Sequence, residues 1–435
     1  MHHRRMFRAL VCLFLFLLTG CAAETSASRG RTEITLGAWV DTGGGLAMLA
    51  DAFNESQDEV CVRVETYYDV LGSDASSAEN RASRDRMQAA FMSGNMPDLF
   101  FTTSMDAGAL YEAGLLGDWY ALMDADFDPS AYRDELWAQN AREGVLYELF
   151  VNYELVGLGL PEEYYDATLA GRSGWTPAAF TAWLDEAQLS GMTAEAMLRL
   201  LQDAGTFADF VDWDAGTCQF ECEGFYELLA MLAACGGADN GLDWCAGLQS
   251  LYLAHYDAIY APPQGDGFYR RYTGWPTRDG GGVRVRPLDS YAYAAQTPHP
   301  EACWAFVRWL LEDAQQRSVA LGQNGLPISR DVWAGLLKAS QYPSDDARSC
   351  FYPARMPGRD AEGKRSLVPW PGMPAAERAY LAALVDGADT LVRRDSALEQ
   401  IVEEEILPYL AGDCSAADCA RNIQRRVSLL LAEGA

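Results

Sequence analysis

Apolar positions in the first part of the chain switch between two periods. Residues 34–40 alternate as a strand does, and Asp41-Thr42-Gly43-Gly44-Gly45 follows as a permissive turn. Leu46, Leu49, Ala50 and Phe53 then recur at helical spacing. Residues 60–68 are rich in β-branched and aromatic side chains and predict a second strand. A second helix is predicted over 79–93, stopped by Gly94-Asn95 before Pro97. Residues 97–102 predict a buried third strand, and 105–113 another helix. Strands and helices in alternation predict an α/β layer architecture with mainly parallel sheets. In such sheets ligands bind beyond the carboxyl ends of the strands.

The N-terminus follows a different pattern. Residues 1–8 carry Arg4, Arg5 and Arg8 and no acid, residues 9–18 are apolar, and Leu18-Thr19-Gly20-Cys21 closes the segment. A basic start, a short apolar run and small residues at its end make a secretory signal. The run is too short to span a hydrocarbon core of about 30 Å as a permanent helix. The closing motif resembles the bacterial lipobox, which implies lipidation at Cys21; the alternative is an ordinary signal peptide with an incidental cysteine. Residues 22–32 are small and polar, as a tether would be. The chain is therefore expected to be exported and held by lipid on the outer face of the cytoplasmic membrane, or in a periplasm.

Length and charge narrow the function classes. A chain of 435 residues exceeds one typical core, so two domains are expected. A formal net charge of −29 argues against nucleic acid as a partner and against direct adsorption to anionic lipid. Beyond Cys12 and Cys21 lie Cys61, Cys218, Cys222, Cys235, Cys245, Cys303, Cys350, Cys414 and Cys419. Export permits disulfides, and Cys218/Cys222, Cys235/Cys245 and Cys414/Cys419 are the close pairs; free thiols are the other reading. Past the leader the histidines are His255 and His299, and Cys-x2-Cys is missing, so zinc is not expected. Gly43-Gly44-Gly45 lacks the Gly-Lys-Ser/Thr of a phosphate-binding loop. Asp212-Trp213-Asp214-Ala215-Gly216 is loosely like a calcium loop but lacks glycine at the sixth position, and a β-turn is the simpler reading. No cofactor or metal is expected.

Several segments, in order, resemble the extracellular solute-binding proteins of carbohydrate ABC importers, the maltose-binding-like family 1 group. Phe53-Asn54, Gly94-Asn95-Met96-Pro97-Asp98-Leu99 and Tyr111-Glu112-Ala113-Gly114-Leu115-Leu116 carry the early match. Gly144-Val145-Leu146-Tyr147 with 151–160, the helix start at Trp175-Thr176-Pro177, and Gly274-Trp275-Pro276-Thr277 with Gly280-Gly281-Gly282 continue it. The amphipathic segment 300–308, Asn324-Gly325-Leu326-Pro327-Ile328 and the helical stretches 401–410 and 423–427 complete it. The resemblance implies an α/β, two-lobed periplasmic-binding-protein-like (type II) fold, each lobe a mainly parallel sheet flanked by helices, with a cleft between. It places an N-terminal lobe over 33–150 plus 289–326 and a C-terminal lobe over 151–288 plus 327–435, with crossings near Val151, Leu288 and Leu326. It implies capture of a small molecule, a sugar or oligosaccharide, by hinge closure and delivery to ABC permease subunits, by a monomer that performs no chemistry on the ligand.

Sugar sites need flat apolar faces for ring C–H surfaces and carboxylates or amides for hydroxyls. Candidates at predicted strand ends are Trp39 and Asp41, Tyr68 and Asp69, and Thr103 and Ser104 beside Thr102. For each, core packing or helix capping is the alternative. Asn152 and Tyr153 fall at the first crossing, Tyr256 beside His255 in the second lobe, and Trp275 is the preferred second-lobe platform. Trp304 and Trp309 share an apolar helical face with Phe306 and Leu310 and are expected in the core. The acidic balance leaves a polyamine or peptide ligand open. A secreted hydrolase is disfavoured by the lack of Gly-x-Ser-x-Gly and His-Glu-x-x-His, although a glycosidase needs only two carboxylates.

Overall fold

The computed structural model describes residues 30–41, 44–67, 77–102, 105, 107–160, 174–186, 193–213, 215–235, 249–253, 271–321, 325–351, 355–359, 363–393 and 395–433. Its strands are β1 (Thr32–Ala38), β2 (Val60–Thr66), β3 (Leu99–Phe101), β4 (Leu149–Phe150), β5 (Asn152–Leu160), β6 (Val211–Asp212) and β7 (Thr217–Cys218). They continue with β8 (Gln249–Leu253), β9 (Arg271–Thr273), β10 (Arg284–Pro287), β11 (Ser290–Tyr293), β12 (Leu326–Pro327), β13 (Arg355–Arg359) and β14 (Arg365–Pro369). One sheet has the order β2-β1-β3-β11-β4, a second gathers β8, β9, β10 and β12 onto β5, and two hairpins stand apart.

The first sheet grows from local pattern. Alternation in β1 buries Ile34, Leu36 and Ala38, and β2 lies parallel to it from Thr32↔Val60 to Ala38↔Thr66. The helix Gly45–Ser56 joins them and buries Leu46, Ala50 and Phe53 on one stripe. Helices Ser77–Met92 and Ala107–Glu112 flank β3 near where the periodicity predicts them. Asp98, entering β3, accepts hydrogen bonds from the Thr35 amide at 2.9 Å, the Thr35 hydroxyl at 3.0 Å and Thr297 at 2.6 Å. One carboxylate thereby fastens two neighbouring strands and the segment after β11.

The second sheet departs from the parallel expectation. β8, β9, β10 and β12 all pair antiparallel with β5, so the mainly parallel description holds for β1, β2 and β3 alone. These partners reach β5 from distant parts of the chain, not through one repeated strand–helix–strand unit. β5 is apolar on both faces, because Tyr153 and Leu155 enter one core cluster while Val156 and Leu158 enter the other. The first cluster spans the first sheet, the helix Pro300–Leu310 and Trp370; Trp304 and Trp309 lie buried within it. The second is built by helices Pro177–Glu186, Ala194–Asp203, Glu223–Ala234, Ser396–Leu410 and Ala416–Glu433.

The chain passes between the sheets three times, twice at adjacent points and once on the way from β11 to β12. Val151 alone separates β4 from β5, and Leu288 and Asp289 separate β10 from β11. β12 adds to the start of β5 through Leu326↔Tyr153 and Pro327↔Asn152.

Cys218, Cys222, Cys414 and Cys419 are free thiols, which removes Cys218/Cys222 and Cys414/Cys419 as bridges; Cys245, the expected partner of Cys235, lies outside the described residues. Their sulfurs serve different partners: Cys218 reaches Gln424 and Ser428 across the fold, whereas Cys222 bonds back to the Gln219 carbonyl. Asp212 accepts the Ala215 amide at 2.9 Å and Gly216 takes φ 61°, so this segment forms the turn of the β6–β7 hairpin.

Candidate ligand site

The junction between the sheets concentrates polar side chains that the strand pattern forces together. On β5 the side chains of Asn152 and Glu154 share the face of Val156 and Leu158, opposite to Tyr153 and Leu155. Asn152 is fully buried, and both ends of its amide are used. Its Oδ1 accepts the Asp289 amide at 2.7 Å and its Nδ2 donates to Asp289 Oδ2 at 2.7 Å. Backbone bonds Leu288 N–H to Asn152 O (3.1 Å) and Val151 N–H to Asp289 O (2.9 Å) lace the same two segments.

One step along β5, Glu154 stands opposite Arg286 in the register. The guanidinium donates to Glu154 Oε1 from Nε at 2.6 Å and from a terminal nitrogen. Burial pushes the Glu154 carboxyl upward and Arg286 opposes that shift. Asp289 is likewise raised by burial, against the hydrogen bond from Asn152.

On the other side of the junction, the Thr102 amide donates to Ser290 O at 2.9 Å, which holds the end of β3 beside Asp289. The Thr102 hydroxyl donates to Glu148, whose other oxygen accepts from Asn140 at 3.2 Å. Among the described residues the junction thus gathers the carboxylates of Glu148, Glu154 and Asp289 and the Arg286 guanidinium, each carboxylate already accepting a hydrogen bond within the protein.

The residues picked from sequence are distributed differently. Trp39, just past β1, is partly buried, donates from Nε1 to Ser83 at 3.2 Å and has the Arg84 guanidinium 5.3 Å from its ring centroid. Asp41 accepts the amides of Leu46 and Ala47 at 2.9 and 3.0 Å and so anchors the following helix. Tyr153 is 1% exposed, its hydroxyl held at 3.2 Å by Arg133, which also donates to the carbonyls of Val385 and Ala388. Trp275 is 2% exposed within the second core. Neither Tyr153 nor Trp275 offers an open ring face here, because β5 turns Tyr153 toward the first core and the second core encloses Trp275. Tyr68, Asp69, Thr103, Ser104, Tyr256 and Cys21 lie outside the described residues.

Glu148, Glu154, Arg286 and Asp289 were not singled out from sequence. The available signal was a charge set within an apolar strand: Glu154 in the run 151–160 and Arg286 after Val283-Arg284-Val285.

No protein-family model and no curated protein matches the chain. Solved structures do. The cyclic alpha-maltosyl-1,6-maltose binding protein from Arthrobacter globiformis is similar with a TM-score of 0.57 at 16% identity, over 93% of this chain and 100% of that one. The chain has the solute-binding-protein fold. Two further structures share that fold with it. The sugar-binding protein MalE from Xanthomonas citri gives a TM-score of 0.59 at 15% identity, over 92% of this chain and 98% of its own. An ABC substrate-binding protein from Listeria monocytogenes, solved with cycloalternan, gives 0.55 at 14% identity, over 92% and 99%. The two-lobed α/β architecture of this fold accounts for the paired sheets and for the three crossings, at Val151, at Leu288–Asp289 and between β11 and β12. Two designed esterases also share it, so the fold by itself does not specify binding or catalysis. Among the described residues no helix is long and apolar enough to cross a membrane.

Proposed function

We propose that this chain is the substrate-binding lipoprotein of an ABC importer, capturing a sugar or oligosaccharide between its lobes and passing it to a membrane permease. The observation that carries this reading is the acceptor-rich junction of Glu148, Glu154 and Asp289 on a fold whose similar structures include sugar binders. Carboxylates at a strand junction accept hydrogen bonds from the hydroxyls of a carbohydrate, and they lie where the two lobes would hinge.

On this reading the lobes divide at 33–150 plus 289–326 and 151–288 plus 327–435. Closure follows from ligand binding more tightly to the closed state than to the open one. The candidates Trp39, Tyr68 and Tyr256 supply stacking faces, Asp41, Asp69, Thr103 and Ser104 supply polar contacts at the strand ends, and Tyr153 and Trp275 support the walls from behind. Cys21 carries the lipid that holds a monomer at the membrane, and the ligand leaves chemically unchanged.

The test is thermal unfolding of the purified protein against mono- and oligosaccharides, polyamines and peptides. A ligand at a hundred times its dissociation constant stabilises the native state by about 2.7 kcal/mol. A shift with one sugar series supports the reading. The net charge of −29 and the junction carboxylates favour a cationic ligand as the second reading, and a shift with polyamines alone would replace the first by it.

A further inference from the structure

The three junction carboxylates differ in their donors, and Asp289 alone is held by one neutral side chain among the described residues. Glu154 is engaged by Arg286, and Glu148 by Thr102 and Asn140. Asp289 receives Asn152 Nδ2 on Oδ2, and the residue remains partly exposed. The orientation of Asn152 is set by the backbone, since the Asp289 N–H can donate only to an oxygen and therefore fixes Oδ1 on its side. Nδ2 must then face the carboxylate. A buried amide with no rotational choice holds Asp289 Oδ2, and no side chain among the described residues bonds Oδ1.

We infer that Asn152 is a positioning residue that aims Asp289 Oδ1 at a ligand hydroxyl, making Asp289 the group that selects neutral, hydroxyl-rich ligands over anionic ones. The inference rests on the sugar-binding reading above. A carboxylate is acceptor-only when ionised, so it rewards a donor and repels a second carboxylate. Its position between β10 and β11 also joins ligand contact to the crossing segments that move on closure.

The chemistry yields a specific consequence of Asp289→Asn. Asn152 Nδ2 still demands an acceptor, so the new amide turns its oxygen toward Asn152 and its nitrogen toward the ligand. The acceptor facing the ligand becomes a donor while the shape is kept. Asn152→Ala instead keeps the carboxylate and removes its restraint.

The experiment is calorimetric titration of the wild type and both variants with maltotriose, isomaltotriose and the aldonic acid of each. Expected are a wild type that prefers the neutral sugar, and an Asp289→Asn variant that loses about tenfold or more in affinity for it, as for one hydrogen bond to a charged group. The same variant is expected to close or reverse the gap to the acid. Asn152→Ala is expected to weaken the neutral sugar without improving the acid. Wild-type binding that Asp289→Asn leaves unchanged in both affinity and neutral-to-acid ratio overturns this inference and leaves the sugar reading standing. Equal losses for neutral and acidic sugars in Asp289→Asn also overturn it, since that is the mark of a structural role. A wild type that binds none of the sugars in the wider panel overturns both.

Discussion

The two sheets handle close backbone approach in opposite ways. In the first, a Cβ on Gly37 would come within 2.5 Å of the Pro97 ring and 3.2 Å of Tyr67, both side-chain atoms. In the second region, a Cβ on Gly174 would sit 1.5 Å from the Gly281 carbonyl oxygen, and one on Gly274 would sit 2.3 Å from the Gly282 oxygen. The Tyr67 ring can rotate and the Pro97 ring needs a smaller shift, whereas a carbonyl 1.5 Å away requires two backbone segments to part. The first sheet therefore needs the smaller adjustment of the two. The second depends on Gly174, Gly274 and Gly280-Gly281-Gly282 passing one another with nothing between them.

That contrast is sharpest in Gly174→Ala, for which a loss of more than about 3 kcal/mol is expected, read as a fall in melting temperature or failure to fold. Gly37→Ala tests the other half and should cost about 1–2 kcal/mol by the same measurement. Equal losses from the two would show that the regions do not differ as described.

Asp98→Ala probes the first sheet through its charge and should cost about 2 kcal/mol at neutral pH through the lost hydrogen bonds. Burial alone would raise this carboxyl, but the bonds from Thr297 and Thr35 outweigh it and hold it below its ordinary value. The stabilisation is therefore complete above an unfolded value of about 3.9 and fades as pH falls through the lower folded one. Denaturation followed from pH 7 toward pH 2 should show wild type and variant converging.

Asp289 has the opposite sign, because burial raises its carboxyl in the folded state. Its contribution is favourable below the unfolded value and is lost as pH rises through the folded one. Asp289→Asn should accordingly be at least as stable as the wild type at pH 7, and a clear loss there would contradict the assignment. The smallest effect is expected at the first sheet's exposed edge. Arg63 pairs with Glu33 at 3.4 Å and Glu65 at 3.0 Å in solvent, and Arg63→Gln should change stability by less than about 0.5 kcal/mol in urea unfolding.

The candidate site was only partly readable in advance, and the reasons are visible residue by residue. Asp41 stands where the strand pattern puts it, yet the hydrogen bonds it makes are to Leu46 and Ala47 at the start of a helix. Capping and ligand contact ask for the same residue types at the same strand end, so spacing cannot separate them. Asn152 and Tyr153 were read together as one crossing. The strand period sends them to opposite faces, Tyr153 to Arg133 and Asn152 to Asp289. Asp289 adjoins the crossing expected near Leu288, but nothing in the local pattern marks its carboxylate as the partner of Asn152.

Local order along the chain was enough for β1, the helix Gly45–Ser56, β2 and β3, because each is coded by a period within a dozen residues and pairs with near neighbours. It was also enough for the charge, and for the resemblance that anticipated this fold. The second sheet and the junction needed the folded chain. Glu154 meets Arg286 across 132 residues and Asn152 meets Asp289 across 137. A two-residue period says that a strand has two faces, but the partners arriving from elsewhere decide which face packs and which is left polar. The elements were therefore set by neighbours in sequence, and the chemistry of the junction by neighbours in space.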